Sequence, residues 1–266
     1  VNGTANVVNI TNDIDLGAKY GSSTGVMNTP HSVTINGNGH IINFGNFYIK
    51  IKPNWTSPSD ELNITFNDTK LYTANQYGAV YVNNTPRFFD NSKIRLVYNN
   101  VQAVGGTAVS LKTFEIKGNT RINGASSYTY NGTIYIPAYS DIHGTALISP
   151  AFNVVIDNGA NVVLDAGGSA EYNIQLQGNW GTHTISIGDN AHVEMRGATR
   201  SNVYMRSYAN GDNVINVGNN AHVEMRGATR SNVYMRSYAN GDNVINVGNN
   251  AHVEMRGATR SNVYMR

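Results

Sequence analysis

Tyrosine and arginine carry the clearest chemical pattern in this chain. Ser-Asn-Val-Tyr-Met-Arg occurs three times, at 201–206, 231–236 and 261–266, so Tyr204, Tyr234 and Tyr264 each stand two places before Arg206, Arg236 and Arg266. His-Val-Glu-Met-Arg precedes each copy and adds Arg196, Arg226 and Arg256, two places after Glu194, Glu224 and Glu254. A tyrosine ring offers a flat face to a sugar, and a guanidinium forks onto a carboxylate or sulfate. Arg196, Tyr204, Arg206, Arg226, Tyr234 and Arg236 are therefore candidate binding residues for an anionic glycan. The plainer reading is that the Glu column only offsets repulsion within the Arg column. Residues 191–266 hold 9 Lys+Arg against 5 Asp+Glu, whereas residues 1–190 hold 10 against 12, so the positive bias is confined to the copies. That excess is sparse for nucleic acid, which is not expected as a partner.

A second candidate is the run Ser127–Asp141, where Tyr128, Tyr130, Tyr135 and Tyr139 crowd together. A loop on a rigid scaffold often carries function; the alternative is a Tyr-rich strand pair covering a flank. Trp55 and Trp180 stand alone, and Trp180, in the turn Gly-Asn-Trp-Gly-Thr-His, is a stacking residue or a hydrophobic cap. His192, His222 and His252 recur at the period of the copies, and their protonation in one column is expected to loosen this region in acid. With no second ligand type beside them, zinc is not expected.

Enzymatic chemistry is poorly served. Polysaccharide hydrolases need paired carboxylates, and lyases need acids that hold calcium beside a base. Here the acids are scattered. Asp13 and Asp15 suit a strand end or cap, Asp60 and Glu61 suit a solvated turn, and Asp141 beside His143 is an isolated pair. No catalytic residue, metal ligand or cofactor is assigned. The absence of cysteine excludes disulfides and thiolate metal sites.

These side chains must be held by a repeating scaffold. Residues 191–220 recur unchanged at 221–250, and their first sixteen recur at 251–266. A fixed period of this length marks a solenoid. Each unit contains three runs alternating apolar and polar residues, His192–Arg196, Asn202–Arg206 and Val214–Val217, separated by Gly- and Asn-rich turns. One unit thus reads as one three-sided coil of a parallel β-helix, stacked at about 4.8 Å per coil. Val193, Met195, Val203, Met205, Ile215 and Val217 should point inward. The 40 Asn and 27 Gly fit turns, and stacked amides should hydrogen-bond along the axis. The sequons at Asn2, Asn63, Asn67 and Asn131 then follow from composition.

Apolar anchors bracketing Asn/Gly turns extend the period upstream, at 35, 66, 96, 156, 187, 217 and 247, with a further anchor at 116 that falls off step. The expected fold is all-β, a right-handed parallel β-helix of about eight coils. Residues 1–190 form an irregular portion with a Tyr-rich insertion near 125–150, and residues 191–266 continue the same solenoid as perfect repeats. No apolar run is long enough to cross a membrane, and membrane insertion is not expected. The chain starts at Val1 and stops at Arg266 in mid-pattern, so both ends read as cuts in a longer precursor, and the last coil should be open.

The opening Val8-Asn-Ile-Thr-Asn-Asp-Ile-Asp-Leu-Gly, followed by Ser32-Val-Thr-Ile-Asn-Gly-Asn-Gly-His-Ile-Ile-Asn, resembles the start of pectate-lyase-like domains in large cell-wall-anchored surface proteins of lactobacilli and related Gram-positive bacteria. The resemblance covers residues 1–190 by pattern. It implies a secreted, cell-wall-anchored adhesin segment, monomeric within a larger surface protein. It also implies binding to host or plant polysaccharide, mucin or another epithelial glycan. Lyase activity is not implied, because adhesin members generally lack the enzyme's machinery. The alternatives are a structural stalk with binding elsewhere, and a residual polysaccharide lyase or hydrolase.

Overall fold

Short alternating strands cannot bury an apolar face alone, but stacked coils bury it continuously. The computed structural model describes residues 6–27, 31–51, 61–75, 78–82, 94–105, 107–109, 113–124, 128–135, 142–146, 153–168, 170–178, 181–208 and 210–266. They build a parallel β-solenoid with three walls. The first wall is a nine-stranded sheet from Val7–Asn9 to Asn243–Val247, and the second is a nine-stranded sheet from Ile14–Asp15 to His252–Arg256. The third wall comes in two sheets. Three strands (Thr24–Met27, Tyr48–Ile51, Val80–Val82) serve the early coils, and six strands from Thr107–Val109 to Ser261–Met265 serve the later ones. The nine rungs among the described residues lie close to the eight or so expected from the sequence.

The repeats stack in the predicted register. Val193 pairs with Val223 and Val223 with Val253, so like residues form interior columns. Val193, Met195, Val203 and Met205 are fully buried, and Ile215 and Val217 nearly so. Their outward neighbours alternate with them, as a pleated strand requires. In the last coil Val263 and Met265 are exposed.

The asparagines play three distinct parts. Asn190, Asn220 and Asn250 turn corners at φ 58°, 55° and 55°, a left-handed conformation Asn tolerates. In the turn beside them, Asn158 Oδ1 accepts from Asp189 N at 2.8 Å, and the same step recurs from Asp189 to Asn219 N at 2.6 Å and from Asn219 to Asn249 N at 2.9 Å. Turns stacked this closely leave no space for a side chain at Gly218, whose Cβ would lie 2.6 Å from Asp189 N. The third part is internal. Asn173, Asn202 and Asn232 form a buried amide ladder in which each Nδ2 donates to the next Oδ1, at 2.7, 2.7 and 2.9 Å. Each also donates to a corner carbonyl, that of Arg196, Arg226 or Arg256.

Coil length departs from the sequence expectation in the middle. Phe66 pairs with Tyr98 rather than with Leu96, and Tyr98 pairs with Ile116. Ile116 in turn pairs with Ile156. The anchor at 116 is therefore a true rung, reached through a short coil and left through a long one. Solenoid register is set by hydrogen bonding to the previous rung, so a connection can lose or gain residues without disturbing it.

Candidate binding faces of the solenoid

The strand arginines of the repeats fall on two walls, one supplied with carboxylates and one not, while Arg200, Arg230 and Arg260 lie at the corner between them. Arg196, Arg226 and Arg256 follow Glu194, Glu224 and Glu254 on the second wall. Arg196 is held by Asp165 and Glu194, both at 2.8 Å, Arg226 by Glu224 at 2.5 Å, and Arg256 by Glu254. Two places along a strand is one step on the same face, so this pairing is local to each copy. Hydrogen bonding to Arg226, ahead of the charge itself, holds the Glu224 carboxyl below its usual range. The Arg column here is neutralised, in agreement with the plainer of the two sequence-based expectations.

Tyr204, Tyr234, Arg206 and Arg236 lie on the third wall, away from Arg196 and Arg226. Among the described residues no carboxylate pairs with Arg206 or Arg236. Their partners are aromatic. Arg206 Cζ lies 4.3 Å from the ring centroid of Tyr208 and 5.1 Å from that of Tyr238, and Arg236 Cζ lies 4.2 Å from Tyr238. Arg206 also donates through Nη2 to Tyr238 Oη. Tyr204 stacks on Tyr234 at 5.0 Å between centroids with planes 9° apart, and Tyr234 stacks on Tyr264 at 4.9 Å and 11°. Burial, the largest cause, pushes the Tyr204 hydroxyl above its ordinary value. One rung earlier the same positions hold Gln175 and Gln177, so this stripe starts with the repeats.

Stacking alters what the tyrosines can offer. The faces of Tyr204 and Tyr234 are covered by their neighbours, so these rings present edges and hydroxyls outward, while Tyr264 at the end of the column is stacked on one face. The third-wall surface is a row of phenols beside a row of guanidiniums without carboxylate partners among the described residues, and neither Tyr204 nor Tyr234 offers a free aromatic plate. Tyr208 and Tyr238, the tyrosines that hold the arginines, escaped the sequence-based expectations; their recurrence at the same period was the available sign.

Within the Tyr-rich insertion, residues 128–135 form a β-hairpin, and Ile142–Ala146 is a rung of the third wall. Tyr128–Tyr130 pairs antiparallel with Thr133–Tyr135 across Asn131 and Gly132, both at positive φ. That is the Asn-Gly turn a two-residue hairpin favours. Tyr128 and Tyr135 are cross-strand partners, while Tyr139, Asp141, Trp55 and Trp180 lie outside the described residues. The Tyr130 ring meets Tyr72 edge-on at 5.8 Å and packs with Val104 and Ala74. The strand pair thus folds against the second wall, as the structural alternative expected.

A polar cleft on the first wall was not expected from the sequence. Asn63, Thr65, Arg95, Asn99, Glu115 and Lys117 line about 580 Å³ of it. Glu115, nearly buried, meets Arg95 at 3.1 Å and Lys117 at 3.0 Å, while Arg95 also meets Glu61 at 2.7 Å. Its cations are consumed internally. The hydrogen bond to Glu115 is the chief cause that raises the Lys117 ammonium above its ordinary value. The available sign was the outward alternation of Arg95, Glu115 and Lys117 on neighbouring strands, hidden by the irregular coil.

Asp15 caps the short helix Leu16–Tyr20 by accepting from Ala18 N at 2.9 Å, and Asp13 accepts from Ile41 N at 2.9 Å. Both acids therefore have structural employment. Among the described residues no three His, Cys, Asp or Glu side chains gather as a metal site would require. No described helix is long and apolar enough to cross a membrane.

Comparison with known proteins fits this architecture. Residues 1–111 match the family described as a putative pectate lyase-like adhesive domain. Two solved structures share the fold: the SRRP of L. reuteri 53608, at TM-score 0.63 and 18% identity over 94% of this chain and 93% of that one, and the SRRP of L. reuteri 100-23, at TM-score 0.56 and 17% identity over 99% and 94%. No curated protein matches the chain. The resemblance read from the opening residues thus holds for the first 111, and the family it reaches is described as adhesive, in keeping with a non-enzymatic segment.

Proposed function

We propose that this chain is a non-enzymatic segment of a secreted, cell-wall-anchored bacterial surface adhesin, and that it binds anionic glycans of host, plant or mucus origin along the third wall of its repeats. The observation that carries the reading is the column of Arg206 and Arg236, which lack a carboxylate partner among the described residues and are held outward by Tyr208 and Tyr238. A guanidinium braced by aromatic rings has already lost part of its conformational freedom, so less entropy remains to be lost on binding. Phenol hydroxyls beside it supply neutral hydrogen bonds to sugar hydroxyls. The adhesive description of the family matched by residues 1–111 supports the adhesin role.

The test is binding of sulfated, carboxylated and neutral glycans by calorimetry. Changing Arg206, Arg236 and Arg266 together to Gln should weaken anionic binding by roughly tenfold or more, the scale of a lost charge-assisted hydrogen bond. Changing Arg196 and Arg226 to Gln should leave it unchanged, since their charge is already met by Glu194 and Glu224. If the first variant binds normally, the third-wall site is wrong. Silence toward every glycan would favour a stalk of repeated coils with binding elsewhere. Unsaturated product from polygalacturonate with calcium would instead reveal a residual lyase.

A further inference from the structure

The third-wall tyrosines form a continuous stack. Tyr172 lies 4.8 Å from Tyr204 with a 35° tilt, and Tyr204, Tyr234 and Tyr264 follow at 5.0 and 4.9 Å in near-parallel planes. Successive strands of this wall are paired in register, Tyr204 with Tyr234 and Tyr234 with Tyr264, so backbone hydrogen bonds hold the phenols next to one another. Met205 and Met235, on the same strands, are fully buried, which keeps two competing oxidisable sulfurs on that wall away from solvent. Tyr204 and Tyr234 are half-buried, and Tyr264 is 38% exposed.

We infer that this column is a site of oxidative tyrosine coupling, in which peroxide acting through a haem peroxidase joins neighbouring coils by carbon–carbon bonds. Each of two adjacent phenols gives up one electron and one proton to become a phenoxyl radical. The two radicals form one bond between ring carbons ortho to oxygen. The two ortho hydrogens then move to the oxygens and restore both phenols. The two electrons and two protons reduce one hydrogen peroxide to two waters. Rings held this close make the second encounter intramolecular, which favours it over coupling between chains. The product staples one coil to the next on a wall otherwise joined by hydrogen bonds. This inference is independent of the glycan reading.

Trypsin supplies a direct readout. Cleavage after Arg200, Arg206, Arg230, Arg236 and Arg260 releases the same peptide, Ser-Asn-Val-Tyr-Met-Arg, from each copy. Coupling among Tyr204, Tyr234 and Tyr264 must therefore yield a homodimer of that peptide, lighter by two hydrogens than two free copies, whereas coupling of Tyr172 to Tyr204 joins it to a different peptide. The whole chain, treated with a haem peroxidase and limiting hydrogen peroxide, should give this homodimer and dityrosine fluorescence while still running as a single chain on a denaturing gel. Tyr234→Phe keeps the stack but leaves Tyr204 and Tyr264 two rungs apart, so the homodimer should disappear. Tyr208→Phe should leave it intact. The inference fails if the homodimer persists in Tyr234→Phe, if it occurs only between chains, or if urea-unfolded chains give the same yield.

Discussion

Asn131, at the tip of the hairpin, donates through Nδ2 to Asp15 Oδ2 at 3.2 Å, linking residues 116 apart in the chain. Asp15 also accepts from Ala18 N and from Asn43 Nδ2, each at 2.9 Å. One carboxylate thus caps the helix, ties the first coil to the second, and clamps the insertion. The hairpin is pinned at its tip by Asn131 and along its side by Tyr130 on Tyr72.

Asn131→Ala should release the tip while leaving the solenoid intact. A single exposed hydrogen bond contributes about 0.5–1.5 kcal/mol at most, so the unfolding midpoint should barely move. Limited proteolysis should nevertheless cut faster within 128–135. Equal cleavage rates in the wild type and the variant would show that Tyr130 alone holds the hairpin.

His183 makes stability fall in acid. It is fully buried, neither ring nitrogen has a hydrogen-bond partner among the described residues, and desolvation lowers its pKa from 6.5 to about 4. The native state therefore stays neutral while the unfolded chain takes up a proton. Stability present above pH 6.5 is lost progressively as pH falls toward 4, by about 2–3 kcal/mol from a shift of this size. His183 pairs with Asn213, whose Oδ1 also lacks a partner among the described residues. Asn213 Nδ2 donates to Asn243 Oδ1 at 2.8 Å, so His183→Asn should extend that first-wall amide pair by one rung and remove this share of the pH dependence. Urea unfolding at pH 4.5 and 7.5 measures both effects.

His192, His222 and His252 form a separate stacked column on the second wall. Their rings stack at 4.8 and 4.9 Å with planes 9° and 14° apart, and Glu194, Glu224 and Glu254 lie two places along on the same face. Arg196, Arg226 and Arg256 already engage those glutamates.

Burial should separate the amide ladders. Asn232 donates to Arg256 O and Asn262 Oδ1 and accepts from Asn202, all within the wall. Asn232→Ala leaves the buried Asn202 amide without its Oδ1 acceptor, and should cost about 1–3 kcal/mol. Asn246 donates to Asn216 at 2.8 Å on an exposed face. Asn246→Ala should cost within about 0.5 kcal/mol. Chemical denaturation of the two variants side by side tests whether burial, rather than ladder formation, carries the stability.

The regular part of this molecule is legible in its periodicity. Identical copies impose identical environments, so an alternating Val-Glu-Met-Arg run in three copies can only place Val193 and Met195 inside and Glu194 and Arg196 outside. Period, wall number, interior columns and the stacking of Tyr204 on Tyr234 all follow from that constraint. The same logic anticipates that Glu194 occupies Arg196. It cannot give the angle between the faces that carry Arg196 and Arg206, which is set at the Gly-Ala-Thr-Arg corner and is invisible to strand periodicity.

The irregular part depends on how the coils pack. Tyr98 and Ile116 share a register although few residues separate them, because a rung aligns on the hydrogen bonds of its predecessor and is indifferent to the length of the connection. Arg95 and Glu115 become neighbours only through that short coil, which creates the first-wall cleft. Asn131 finds Asp15 only because the hairpin folds back along the second wall. His183 becomes a buried base without a partner only because it occupies an inward-facing position on its strand. Repetition in the amino-acid order dictates the regular coils. The contacts between parts that do not repeat are left to three-dimensional packing, since no period relates the residues that make them.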